Sequence, residues 1–195
     1  MNKAFKIAVL GSTRGTDFQA ILDEIDAGAM PGVEPVVVLS NVADAGILQK
    51  AIDHKIPGIF VNPDGHDSKT YEEALIASIG EVDLLCLVGF MRILSPVFVR
   101  HFAGKIINVH PSLLPKYGGK GFYGDRIHKA VLRDGETESG MTIHYVDELV
   151  DHGEVILQKK VAIEAGETIE SLKKKVQELE KKGYPEAIRL IQGKS

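Results

Sequence analysis

Apolar runs of strand length, rich in valine and isoleucine, recur at Lys6–Leu10, Pro35–Ser40, Gly58–Val61, Val82–Val88 and Lys105–Val109. Segments with helical spacing separate them. Asp17–Ala27 places Phe18, Ile21, Leu22 and Ile25 on one face, and Ala43–His54 and Ser68–Ile79 read similarly. Strands that are apolar throughout, rather than alternating, are covered on both sides. Their alternation with helices predicts a Rossmann-like α/β fold, a mostly parallel twisted sheet with helices on both faces.

The pattern changes after Pro115. A glycine-rich stretch leads into a helix near Asp125–Arg133, and two further strand-like runs, Gly140–Val146 and Val155–Ala162, predict an antiparallel C-terminal extension. A long terminal helix starts at Thr168, which suits an N-cap with Glu170 and Ser171 in the first turn, and it continues to about Ile191. No repeat, low-complexity tract or linker interrupts the chain, so residues 1–195 are expected to form one domain.

Composition narrows the function classes. A chain of 195 residues, 44% hydrophobic and 26% charged, can bury a substantial core without staples. Net charge is −4, and apart from Lys173-Lys174-Lys175 the cations are spread out, which argues against a nucleic-acid partner. The longest apolar run, Leu84–Met91, falls far short of the roughly 20 residues that span a bilayer, and the N-terminal apolar run is too short for a secretion signal. The single cysteine, Cys86, forbids an internal disulfide and suits a reducing compartment. A cytoplasmic monomer or homodimer acting on small molecules, without nucleic acid or membrane, is the expectation.

One candidate for chemistry is the glycine loop after the first strand. In "VLGSTRGTDFQAIL", Val9–Leu22, Gly11 and Gly15 fall in the turn into the first helix, whose N-terminal amides can hold an anion. The spacing lacks both the dinucleotide fingerprint and the P-loop, and the second strand ends in Ser40-Asn41 where an NAD site wants a carboxylate. A monophosphate is therefore the expected anion. Arg14 and Thr16 favour it, and Asp17 is tolerable there if, as helix N-cap, it turns its charge onto the amides. Glycines in such turns also have a purely steric explanation.

The other candidate is "INVHPSLLPKY", Ile107–Tyr117. Asn108 and His110, two apart on a strand, project from one face about 7 Å apart along the chain. An amide donor and an imidazole aimed at one point suit a reaction that builds negative charge on a carbonyl oxygen while a proton moves. Such a histidine needs an acidic partner. "HYVDELVDHGEVIL", His144–Leu157, offers Asp147, Glu148 and Asp151, the last opening an Asp-His-Gly turn. The seven histidines lack metal-ligand spacing, so no metal is expected.

Together, "GFMRILSP" (Gly89–Pro96), "INVHPSLLPKY" and "DELVDHGEVI" resemble the folate-dependent formyltransferases, over almost the whole chain. The resemblance implies that Asn108, His110 and Asp151 are catalytic and that the main chain at Met91, Arg92, Ile93 and Leu94 walls the pterin site. It implies that Gly11, Arg14, Gly15, Thr16 and Asp17 cradle the acceptor's phosphate, and that Gln177 and Glu180, on one helix face, hold its amine. The implied co-substrate is 10-formyltetrahydrofolate. The implied acceptor is glycinamide ribonucleotide of purine synthesis, attacking directly through a tetrahedral intermediate.

Thr16-Asp17 departs from the family's common Ser-Asn, and Gly118–His128 is longer and richer in glycine than usual, which suggests a mobile flap. Family members with an appended RNA-binding barrel or N-terminal regulatory domain are not expected to match so short a chain. A formyltetrahydrofolate hydrolase, a transferase for another small amine, or a nonenzymatic folate- or nucleotide-binding module are the competing readings.

Overall fold

A computed structural model describes residues 4–194. Its strands are β1 (Phe5–Leu10), β2 (Val33–Ser40), β3 (Gly58–Phe60), β4 (Leu84–Leu87), β5 (Ile106–His110), β6 (Glu138–Tyr145) and β7 (Val155–Ala162). The helices are α1 (Thr16–Asp26), α2 (Gly46–Asp53), α3 (Ser68–Ile79), α4 (Pro96–His101), α5 (Asp125–Arg133) and α6 (Ile169–Gln192). The strands form a seven-stranded sheet in the order β3-β2-β1-β4-β5-β6-β7, as the expected mostly parallel α/β fold with an antiparallel end requires. The chain divides into two compact units, one ending at Ile107 and the other beginning at Asn108.

In the first unit, β1 pairs in parallel with β2 on one side and β4 on the other, and β2 pairs in parallel with β3. The chain therefore steps outward from β1 to β3 and then returns to the opposite flank. The loops after β1 and β4 thus border a topological switch point, the place where open α/β sheets bind ligands. Ile7, Ala8, Val9 and Leu10 are all fully buried, so both faces of β1 are covered, and Phe18 and Ile21 of α1 join that core. Edge strand β3 departs from the expectation, with Ile59 and Phe60 36% and 41% exposed.

The start of α1 corrects another expectation. Its N-cap is Gly15, in the left-handed region at φ 70, and not Asp17, which lies buried within the first turn. Ile47 of α2 is the reason. A Cβ on Gly15 would lie 2.6 Å from Ile47 Cγ1, and one on Gly11 would lie 2.5 Å from its Cδ1. Only glycine lets the chain turn this tightly against α2, whatever the loop binds.

Helix α4 escaped the periodicity because it is short. Pro96 fits its first turn, and the Ser95 hydroxyl accepts the Phe98 N–H at 3.2 Å. Glu72 of α3 anchors that cap, accepting the Ser95 N–H at 2.7 Å and the Ser95 hydroxyl.

In the second unit, β6 and β7 pair antiparallel from Glu138↔Ala162 to His144↔Val155, with a register shift between Ile143 and His144. Helix α6 covers this pair and buries Leu172, Val176, Tyr184, Ala187 and Ile188 completely. Its start matches expectation. Thr168 Oγ1 accepts the Ser171 N–H at 3.1 Å, and Ser171 Oγ accepts the Thr168 N–H at 2.9 Å, a reciprocal cap.

Gly15→Ala forces a side chain into a left-handed conformation and against Ile47. It should cost about 1–3 kcal/mol, read as a lower urea midpoint. Wild-type stability in that variant would contradict the packing account of the loop.

Candidate active site

The site in the second unit begins where β5 ends. His110 is buried, its Nε2 2.7 Å from the Tyr117 carbonyl and its Nδ1 3.4 Å from Asp151 Oδ2. A carbonyl oxygen only accepts, so Nε2 carries a hydrogen, and an ionised carboxylate asks the same of Nδ1.

Asp151 sits in the turn before β7 with φ 56, a left-handed conformation that aspartate tolerates better than most residues. Gly153 seats that turn against the end of β6, since a Cβ there would collide with the Tyr145 carbonyl. Asp151 Oδ2 also accepts the Gly119 N–H at 2.9 Å. Burial pushes the Asp151 carboxyl up, but the His110 bond and charge, the Gly119 amide and the nearby His144 outweigh it. The net shift is below the ordinary value.

Asn108 reaches this pair through a residue the sequence reading left out. His144 is 2% exposed, and its Nδ1 lies 2.8 Å from the Tyr145 carbonyl, so Nδ1 carries the hydrogen. Its Nε2 is 3.3 Å from Asn108 Nδ2 and 3.8 Å from Asp151 Oδ1. Burial lowers the His144 pKa and prevails over the Tyr145 bond and the Asp151 charge, which raise it. The contacts therefore run from Asn108 to His144, Asp151 and His110.

The turn between His110 and Tyr117 is clamped by the buried Thr142 and by Gln158. The Thr142 hydroxyl donates to the Ser112 carbonyl at 2.7 Å and accepts the Leu114 N–H at 3.0 Å. Gln158 Nε2 donates to the Leu114 carbonyl at 2.8 Å and to Thr142 Oγ1 at 2.9 Å. Buried networks satisfied in this way hold one conformation. Neither Thr142 nor Gln158 announces itself in a strand that reads as apolar.

The other acidic candidates go elsewhere. Asp147 accepts the Leu149 N–H at 2.8 Å and faces His152 Nδ1 at 2.8 Å, and Glu148 is exposed. Gln177 is half-buried on α6, and Glu180, one turn on, is buried.

In the first unit, Arg14 and Thr16 are exposed at the start of α1, beside the buried Gly11, Gly15 and Asp17. Ser12 laces this loop to the one after β4. Its N–H donates to the Gly89 carbonyl at 3.2 Å, and its hydroxyl accepts the Met91 N–H at 2.8 Å and donates to Asn41 Oδ1 at 2.6 Å. In the β4 loop Met91 and Ile93 are 58% and 73% exposed, Leu94 is half-buried, and the Arg92 guanidinium lies 4.9 Å from the centre of the Tyr71 ring. Exposed apolar side chains beside a polar loop at a switch point suit a small organic ligand. Among the described residues no group of His, Cys, Asp and Glu side chains is placed to hold a metal, and no helix is long and apolar enough to cross a membrane.

A sequence model of the formyl transferase family matches residues 5–188. The phosphoribosylglycinamide formyltransferase of Haemophilus influenzae is 39% identical over 188 residues, which is 94% of this chain and 85% of that protein. A trifunctional purine biosynthetic protein, adenosine-3, of Drosophila pseudoobscura pseudoobscura is 40% identical over 190 residues, 95% of this chain. The chain spans only 14% of the length of that relative. Among solved structures, glycinamide ribonucleotide transformylase 1 of Symbiobacterium toebii superposes with a TM-score of 0.89 at 36% identity, covering 99% of this chain and 90% of that one.

The depressed pKa of Asp151 has a definite sign in stability. A carboxylate whose folded pKa lies below its unfolded value of about 4 stabilises the fold above that pH, and the contribution is lost as pH falls through the folded pKa. Asp151→Asn lacks this contribution. The stability difference between wild type and variant, measured by urea unfolding, should be larger at about pH 5 than at about pH 3. A difference independent of pH would contradict the ion pair.

Proposed function

From a chain that belongs to the formyl transferase family, matched over residues 5–188, we propose the transfer of a formyl group from 10-formyltetrahydrofolate to the primary amine of glycinamide ribonucleotide, a step of purine synthesis. The observation that carries this reading is the Asp151 carboxylate set 3.4 Å from the His110 ring, with Asn108 drawn in through His144. The similarity to a phosphoribosylglycinamide formyltransferase along 94% of the chain supports the acceptor. The family match crosses from Ile107 to Asn108 without a break, which supports a single functional domain.

In this reading the amine lone pair attacks the formyl carbon, and the carbonyl π electrons move onto oxygen. Asn108 offers that oxyanion the N–H not engaged by His144, and the charged His110 ring adds its field. The nitrogen that attacked sheds a proton, the oxyanion's electrons re-form the carbonyl as the bond from the formyl carbon to the folate nitrogen breaks, and that nitrogen takes up a proton. Asp151 keeps His110 charged and takes part in the relay. No covalent bond to the protein forms.

Gly11, Arg14, Gly15, Thr16 and the main-chain amide of Asp17 hold the acceptor's phosphate, Gln177 and Glu180 hold its amine, and Met91, Arg92, Ile93 and Leu94 take the pterin. The exposed Arg14 and Thr16 beside the α1 amides, and the exposed Met91 and Ile93, support the phosphate and pterin assignments. The protein works on small molecules in the cytoplasm, as a monomer or homodimer without nucleic acid or membrane. A single cysteine, buried in β4, accords with a reducing compartment.

Mixing the protein with 10-formyltetrahydrofolate and glycinamide ribonucleotide should release tetrahydrofolate only when the amine is present. Release without the amine would assign a hydrolase, and binding without release would assign a nonenzymatic module. Asp151→Asn should fold yet lose about 10²-fold or more in kcat, and near-wild-type turnover would contradict its role. The Tyr117 carbonyl occupies His110 Nε2, so residues 117–124 should shift when substrates bind. Hydrogen exchange at the Gly119 amide should change with both substrates present; unchanged exchange would rule out a flap.

A further inference from the structure

We propose that His144 is a positioning residue for the transfer, holding Asn108 so that a defined end of its amide meets the reacting carbonyl. The proposal rests on the formyl-transfer reading above. A carboxamide is nearly symmetric in shape, and either its oxygen or its nitrogen can face a given point at little steric cost. At an oxyanion the two are opposites, because the nitrogen end donates and the oxygen end repels. Some neighbour has to choose, and that neighbour must be able only to accept.

His144 meets this requirement. Its Nδ1 hydrogen is committed to the Tyr145 carbonyl at 2.8 Å, which leaves Nε2 with a lone pair in the neutral ring. That lone pair faces Asn108 Nδ2 at 3.3 Å. It accepts one amide hydrogen, excludes the amide oxygen from this side, and leaves the second hydrogen for the substrate. The register shift between Ile143 and His144 falls at this residue, and such bulges re-aim a side chain beside a site. The ring is 2% exposed, so water offers no substitute acceptor.

The neutral form matters. A ring protonated on Nε2 would turn its new hydrogen toward Asp151 Oδ1, 3.8 Å away, and present an N–H to the Asn108 amino group. His110, Asp147 and Asp151 are the charged groups acting on the ring, and burial tips the balance toward the uncharged state.

Two substitutions separate this role from mere packing. His144→Leu keeps bulk but offers no acceptor, whereas His144→Gln can place its amide oxygen where Nε2 stood. The leucine variant should lose about tenfold or more in kcat at unchanged KM for both substrates, and the glutamine variant should recover most of that loss. Wild-type kcat in the leucine variant, a loss confined to KM, or a glutamine variant as impaired as the leucine one would each overturn the proposal.

Nitrogen NMR of the unmutated protein provides a readout that needs neither variant to fold nor any turnover. His144 should show its hydrogen on Nδ1, with Nε2 coupled through a hydrogen bond to the Asn108 amino group. A hydrogen on Nε2 would overturn the proposal. If the wild type transfers no formyl group while this signature is present, the parent reading falls and the contact stands.

Discussion

One carboxylate organises the second unit. Asp151 gathers the His110 ring, the Gly119 amide and, at longer range, His144, from segments far apart in sequence. His110 and Gly119 each offer a hydrogen to a half-buried anion, and an anion in such a place is stable only when it is so surrounded. Removing the carboxylate would leave His110 without its counter-charge and the 117–119 backbone without one of its ties. The left-handed conformations of Asp151 and Tyr117, at φ 56 and 58, lie on the two segments this contact joins.

The surrounding structure serves that constraint. Thr142 and Gln158, on the paired strands β6 and β7, hold the turn that carries the Tyr117 carbonyl to His110. Gly153 seats the Asp151 turn against Tyr145, whose carbonyl also sets the His144 tautomer. In the first unit Ser12 plays a comparable part, binding the loops after β1 and β4 into one wall at the switch point. Thr142 and Ser12 are small polar side chains, buried and half-buried, that decide where a loop's backbone lies.

Much of this was legible in the residues because periodicity reports burial directly. Ser68–Ile79, Asp125–Arg133 and Val155–Ala162 match the observed elements end to end, and the Thr168 cap stands where its hydroxyl and Ser171 suggested. Asn108, His110 and Asp151 could be singled out because a polar pair at a strand end and an aspartate in a glycine turn interrupt an apolar pattern, and family likeness joined them. Helix α4 was missed because six residues are too few to show a period. Asp17 seemed the natural N-cap by propensity, but the contact with Ile47 moved the helix start to Gly15, and such a long-range contact has no local signal. His144, Thr142 and Ser12 were illegible for the same reason: their partners lie 28 to 79 positions away.

The proposed role of Asp151 is to face a hydrogen on His110 Nδ1 while the Tyr117 carbonyl faces one on Nε2. Nitrogen NMR of selectively labelled His110, in the wild type and in Asp151→Asn at one pH, tests it most directly. The account predicts hydrogens on both nitrogens in the wild type and the loss of one in the variant. Identical ring signals in the two proteins would show that Asp151 does not control His110, and the account would fail.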